Sequence, residues 1–539
     1  MFGNKKELEK EKYKKQEQEQ KKEQGQEKEE EKEQEQEKEQ DQEKEQDQEK
    51  EQDQEKEKEQ DQEGINNDFC SNSSFKNQSE ADHSKKMIGN VSKMTKEKLE
   101  KSIKKIPNYL EKMKNGKLKE KYQATRKIRI LLSIEKDPPI QIILKCEGIF
   151  ATLDHFLEID EKPELQFEAL WCLTNILSGS TEDVEKVIQT GSLPKICNLI
   201  DSKNVDLQEQ SIWAIGNIAG DCLKYRDRVL EHDVIPKMIE ILKSDPTTQL
   251  LRCTLWSLVN LFRHKPQPKI SEMSDLISFV CSHLNNENTE IVCESCYLLC
   301  YLSDNDHDII EHLTKNDICK KMAELLKHPS RGIRAPTINF FGNIVAGSTE
   351  QTQVALNCGI LPQLYKLLLT DKVNNRLKIC WCLSNISTGS PEQIQEVIDH
   401  KFVPLIIEIF NKDTYHVRKE SAWVISNLVY MANFKQISYL INNGVIDVLC
   451  GILIFKEVEL VKSSLESLEK IFKFDKYATE ILKMKDNQCI QKINEIGGIE
   501  KIYILCNNHN QYVAKLSQEI LYTYFPNFEL NFSEDEEEF

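Results

Sequence analysis

An eleven-residue pattern returns along the chain at a nearly constant interval, and that interval limits the possible folds more than any other feature. Five segments superpose: LWCLTNILSGS (170–180), IWAIGNIAGDC (212–222), LWSLVNLFRHK (255–265), CWCLSNISTGS (380–390) and AWVISNLVYMA (422–432). Two degenerate copies, CYLLCYLSDND (296–306) and INFFGNIVAGS (338–348), fill the gap between the third and fourth. Anchored on Asn175, Asn217, Asn260, Tyr301, Asn343, Asn385 and Asn427, the steps are 42, 43, 41, 42, 42 and 42 residues. A unit this short cannot bury its apolar face alone, so the units must stack, and the period fits a solenoid of helix triplets.

Each unit repeats the same local grammar. GSLPKICNLI, HDVIPKMIEIL, CGILPQLYKLLL and HKFVPLIIEIF place a proline just inside a helix start, where its missing N–H is no loss and its fixed φ suits the first turn. A polar break and a longer helix carrying the eleven-residue pattern follow. The expectation is an all-α, right-handed superhelix of about ten repeats over residues 99–525. Before it, residues 1–65 are almost wholly Glu, Lys, Gln and Asp, with DQEKEQ recurring from Asp41. Such a tail offers no apolar stripe to bury and is expected to be disordered or a solvated single helix. Residues 66–98 read as a linker and 526–539 as an acidic tail.

Composition narrows the function classes. Hydrophobic residues are 39%, charged residues 30%, and the net charge is −18, which points away from nucleic acid and toward a Lys- or Arg-rich partner. No run approaches the roughly 18 to 20 apolar residues that span a bilayer, so no membrane insertion is expected. The seventeen cysteines sit mostly in apolar runs and read as free buried thiols. Cys293 and Cys296 form a lone CxxC inside a helical pattern, without the second ligand pair a zinc site needs. No cofactor is expected.

The chain's five tryptophans, Trp171, Trp213, Trp256, Trp381 and Trp423, each stand four residues before an asparagine at the same place in the repeat. Positions i and i+4 share a helix face, so stacked helices present a ladder of indoles and carboxamides. A carboxamide offers a donor and an acceptor to an extended peptide backbone. Neighbouring indoles form slots for the stem of Lys or Arg, with its cation over a ring. Asp221, Glu294 and Glu420 stand where they could meet the charged ends. If the asparagines served packing alone, each would need a hydrogen-bond partner within the array.

These residues resemble the importin-α family, nuclear-import adaptors built from armadillo repeats. QFEALWCLTNILSGS, SIWAIGNIAGD, LRCTLWSLVNLFRHKPQP, YLLCYLSD, GNIVAGSTEQT, CWCLSNISTGSPEQIQ and RKESAWVISN match successive repeats of that family, and RKIRILLSIEKDPPIQ matches its first. The resemblance implies a major site for basic nuclear localisation signals at Trp171, Asn175, Ser178, Gly179, Gln210, Trp213, Asn217, Asp221, Trp256, Asn260, Arg263 and Glu294. It implies a minor site at Tyr301, Asn343, Thr352, Trp381, Asn385, Glu420, Trp423 and Asn427. It further implies cargo proteins, importin-β and an export receptor acting with Ran as partners, and shuttling between cytoplasm and nucleus. Three departures stand out. Asn339 replaces an Arg, Tyr297 replaces a Trp, and Lys378 stands where the family has Glu, so the minor site is expected to be weak. The N-terminal tail lacks the family's Arg-rich importin-β-binding segment, and Lys85–Lys86 is the nearest basic dipeptide before the repeats.

An armadillo scaffold of the β-catenin kind is the alternative reading, although such a groove should be basic. Nothing points to an enzyme: no phosphate-binding glycine loop, HExxH, GxSxG or spaced His/Asp/Ser set occurs.

Overall fold

The computed structural model describes residues 96–134, 138–304, 307–315, 317–480 and 488–526, all within the contact unit spanning 91–539. The tail over 1–65, nearly all of the linker over 66–98 and all but the first residue of the acidic end over 526–539 lie outside the described residues.

Every regular element among the described residues is helical. Ten long helices form the spine of an armadillo solenoid: α1 (Leu118–Leu132), α2 (Pro163–Leu177), α3 (Val205–Asp221), α4 (Thr248–Arg263), α5 (Thr289–Ser303), α6 (Arg331–Val345), α7 (Val373–Ile386), α8 (Tyr415–Met431), α9 (Val458–Glu480) and α10 (Gln511–Tyr524). Each packs along the next, from α1 on α2 through α9 on α10. Two shorter helices precede most of them, as Thr181–Gln189 and Ser192–Asn198 precede α3. The spine helices are hemmed in by neighbouring repeats on both sides. Twelve of the fifteen residues of α2 are consequently buried. A flanking helix such as Thr181–Gln189 buries only Val184, Val187, Ile188 and Asp183, one amphipathic stripe.

Two local devices set the repeat geometry. The first is the lead-in to the second helix, where one residue turns left-handed: Gly191 (φ 80°) and Gly359 (φ 73°), before proline-bearing turns, and Gly444 (φ 90°), before one without proline, do so without a Cβ penalty. Asp233 (φ 50°) and Lys401 (φ 61°) make the same turn with a side chain. In Ser192–Asn198, Val234–Lys243, Ile360–Thr370 and Phe402–Lys412 the proline is the third helical residue, among the first four N–H positions that no intrahelical carbonyl reaches.

The second device is a capping box on the first helix. Ser180/Asp183, Ser348/Gln351, Ser390/Gln393 and Asn433/Gln436 each exchange both capping hydrogen bonds. The glutamines also tie repeats together. Gln393 Nε2 donates to the Thr349 carbonyl at 2.8 Å, and Gln436 Nε2 to that of Pro391 at 2.7 Å. Two ion pairs add further rungs, Arg334–Asp371 at 2.9 Å and Arg376–Asp413 at 2.8 Å.

The left-handed turn yields a direct stability test. A non-glycine residue there costs about 1–2 kcal/mol, against roughly 0.5–1 kcal/mol of extra unfolded-state freedom that glycine brings. Lys401→Gly should therefore stabilise the chain by about 0.5–1 kcal/mol and Gly359→Ala should destabilise it comparably, read from denaturant midpoints at unchanged slope.

Candidate functional site

The seven helices α2 to α8 carry the ladder, and the structure assigns the asparagines an internal job. Asn217 Nδ2 donates to the Thr174 carbonyl at 3.2 Å, Asn260 to Gly216 at 3.1 Å, Asn343 to Cys300 at 3.1 Å, Asn385 to Gly342 at 3.3 Å and Asn427 to Ser384 at 3.1 Å. In every case the acceptor immediately precedes the ladder residue one repeat back. Four of these carbonyls, at Thr174, Cys300, Gly342 and Ser384, lie in the last turn of their helix, and those of Thr174 and Gly342 also accept the backbone N–H of Ser178 and Ala346. Four of the asparagines thus reach the last turn of the preceding spine helix, while Asn260 bonds Gly216 within α3. Asn175 bonds the Ser133 hydroxyl at 2.9 Å in the same manner. The partner within the array that a packing role requires is therefore present for each of these carboxamides. One N–H of each is committed to the fold, and Oδ1 with the second N–H remains. Asn343 keeps less, since its Nδ2 also donates to Ser303 Oγ at 3.0 Å.

The indoles are seated unequally. Trp171 and Trp256 are 6% and 5% exposed, whereas Trp213, Trp381 and Trp423 are half-buried. The Arg129 guanidinium carbon stands 4.2 Å from the centre of the Trp171 ring, and Phe167 meets that ring edge-on at 5.4 Å. Arg129 is itself buried and paired with Glu168 at 2.8 Å. This differs from the open slot expected at Trp171: one cation of the chain already lies there. Trp256 and Trp381 lie close against the preceding helix, where a Cβ on Gly216 or Gly342 would overlap their rings. Tyr297 and Tyr301 face each other with centroids 6.4 Å apart.

The remaining candidate residues divide by partner. Ser178 Oγ donates to the Asn175 carbonyl at 2.9 Å, beside exposed Gly179. Thr352 is buried and its hydroxyl donates to Val345 O at 3.3 Å. Arg263 is half-buried at the end of α4. Asp221 Oδ1 accepts from Thr181 Oγ1 at 3.1 Å. Asp221 Oδ2, Gln210 Nε2 and Glu294 Oε2 are buried and have no hydrogen-bond partner among the described residues. The Oδ1 of Asn339 is in the same condition on α6.

The acidic residues do not behave as three fixed charges. Glu294 is 3% exposed, and burial, aided by Glu290, pushes its carboxyl up to about 8 against the opposing pull of Arg252. It is largely protonated at neutral pH, contrary to the expectation of a standing negative charge, because α5 buries it between repeats. Glu420 is half-buried on α8 and its carboxyl is also raised by burial, with Lys419 and Lys378 pulling it back. The Lys378 ammonium lies over the Trp381 ring at 5.6 Å. In the CxxC, Cys296 is fully buried and the Cys293 thiol donates to the Gly332 carbonyl at 3.4 Å.

Spacing gave no sign of Arg129, the glycine seats or the capping partners. Glu168, three residues before Trp171, and Arg129, 39 residues before Glu168, were the available hints of a buried pair beside the first indole.

Comparison with known proteins agrees with this architecture. The armadillo/beta-catenin-like repeat family matches residues 180–220, 348–388 and 390–430. Two of these matches open on the capping serines Ser180 and Ser348, and the third on Ser390. A crystallised engineered protein shares the fold, with 19% identity and a TM-score of 0.65 over 78% of this chain and 98% of that one. The chain is thus an armadillo-repeat solenoid. Importin subunit alpha-1b of Oryza sativa subsp. japonica is 32% identical over 79% of this chain and 80% of its own length. Importin subunits alpha-3 and alpha-7 of Arabidopsis thaliana are 36% and 41% identical, each over 75% of this chain and 76% and 78% of their own lengths. The chain belongs to the importin-α family of nuclear-import adaptors, a family of transport proteins rather than enzymes. No described helix is long and apolar enough to cross a membrane.

Glu294 provides a pH test. A carboxyl raised from 4.5 to about 8 in the fold opposes folding fully above pH 8, and the penalty vanishes as pH falls to 4.5. Glu294→Gln should accordingly raise stability at pH 8.5 by up to about 5 kcal/mol, with less than about 1 kcal/mol of the difference left at pH 5, followed by thermal melts across that range.

Proposed function

We propose that α2 to α5 form the principal binding site for an extended basic peptide of the nuclear-localisation kind. The observation that carries this reading is the set of polar atoms left without partners there. Gln210 Nε2, Asp221 Oδ2 and Glu294 Oε2 are buried and unbonded in the free chain, and a buried unpaired polar atom costs roughly 1–3 kcal/mol. A ligand that brings ammonium and backbone groups relieves that cost on binding. Half-buried Trp213 stands between the more deeply seated Trp171 and Trp256, and Asp221 follows Asn217 by one turn. A lysine stem along Trp213 would carry its ammonium toward Asp221, while the free Oδ1 of Asn217 and Asn260 would accept peptide N–H groups without regard to sequence. Ser178, Gly179 and Arg263 border the same stretch.

Family membership supports a wider role. The chain would carry such cargo between cytoplasm and nucleus by joining an importin-β-type carrier, and return with an export receptor and Ran. A divergent segment to join importin-β would lie in residues 1–65, outside the described ones. The minor site over Tyr301, Asn343, Thr352, Trp381, Asn385, Glu420, Trp423 and Asn427 is proposed as subsidiary.

Trp213→Ala with Asn217→Ala should weaken binding of a lysine-rich peptide by at least ~2 kcal/mol, about thirtyfold, measured by fluorescence anisotropy. Because Asn217 also caps α2, a melt of the double variant has to accompany the titration. Unchanged affinity in a folded variant would refute the site.

A further inference from the structure

In each ladder repeat one position precedes the indole, or the residue in its place, by three residues and shares its helix face. From α2 to α8 that position holds Glu168, Gln210, Cys253, Glu294, Pro336, Lys378 and Glu420. Lys378 is the one cation in the series, and Glu420 is its equivalent in the next repeat. The half-buried Lys378 side chain returns along α7 so that Nζ lies 5.6 Å from the centre of the Trp381 ring, within the range of a cation–π contact. Its charge is close enough to Glu420 to lower that carboxyl, and to Cys300 on α5 to lower that thiol, each against the rise that burial causes.

We propose that Lys378 is a built-in occupant of the seat formed by Trp381 and Glu420, holding the place that a peptide lysine would otherwise take. The proposal rests on the groove reading above and deepens it. A lysine of the chain's own needs no association step. It competes at an effective concentration in the millimolar range, while a peptide lysine entering the seat must also overcome repulsion from the resident ammonium. The neighbouring rung reinforces the block, because Asn339 offers no ring and Asn343 has both N–H groups committed. The consequence is a specificity rule. This chain selects cargo by one basic cluster over α2 to α5 and gains little from a second, and the identity of residue 378 sets that ratio.

Calorimetric titration of the full chain with a lysine-rich heptapeptide tests this, using Lys378→Ala to remove the occupant and Lys378→Glu to restore an acid. The wild type should bind about one peptide per chain and both variants about two. A peptide with two lysine clusters should gain at least ~10-fold in affinity over the heptapeptide in the variants, and less than ~3-fold in the wild type. Two peptides on the wild type, or one on both variants with melting temperatures unchanged, would overturn the proposal. If the wild type bound none and the variants one, the seat would stand and the groove reading over α2 to α5 would fall. Silence in all three proteins would overturn both.

Discussion

The hydrogen bond from each ladder asparagine back to the preceding repeat is the contact on which the rest of the structure depends. A helix leaves its last carbonyls without backbone donors, and a solenoid buries those ends against the next repeat, away from water. The side chains of Asn217, Asn343, Asn385 and Asn427 reach last-turn carbonyls from the following repeat, adding to the C-cap N–H bonds that Thr174 and Gly342 already accept. The same bond fixes register. With the asparagine anchored, the indole one turn earlier falls against Gly216 or Gly342 of the preceding helix, where the absent Cβ leaves room for a ring. The candidate groove is thus a by-product of how repeats are joined. The side chains that line it first hold the solenoid together, and what they retain afterward is available to a ligand.

This double duty explains why the groove is not uniform. Where an asparagine keeps its Oδ1 and one N–H and an atom each of Gln210, Asp221 and Glu294 stays unbonded, as over α2 to α5, the surface is electrostatically incomplete. Across α6 to α8 the chain satisfies more of its own groups: Asn343 bonds twice, Thr352 turns its hydroxyl to Val345, and Lys378 occupies the ring of Trp381. Exposure alone would rank the two halves the other way, since Trp381 and Trp423 are more open than Trp171 and Trp256. Unmet polar demand, rather than open ring area, is what sets α2 to α5 apart.

Much of the fold was legible in the sequence because its signals are local or periodic. The 42-residue step on Asn217, Asn343, Asn385 and Asn427 gave the repeat, and Pro194, Pro236, Pro362 and Pro404 marked the second-helix starts that the structure has. The site was legible only as a shared face. Helical spacing says that Trp213 and Asn217 point the same way, but not which carbonyl 43 residues back the amide will meet. It shows Lys378 as an odd charge without showing that the chain folds it over Trp381. Glu294 illustrates the same limit: its identity suggested a charge, and only the packing of α5 against its neighbours reveals a carboxyl held largely neutral.

The most direct measurement of the central claim uses the five indoles as separate reporters. Two-dimensional NMR of the indole N–H groups, assigned by single Trp→Phe replacements, would follow each tryptophan while a lysine-rich heptapeptide is added. Binding over α2 to α5 predicts that the resonances of Trp171, Trp213 and Trp256 move together and saturate, while those of Trp381 and Trp423 hold still. Movement of Trp381 and Trp423 ahead of the other three, or of none of the five as the peptide binds, would contradict it.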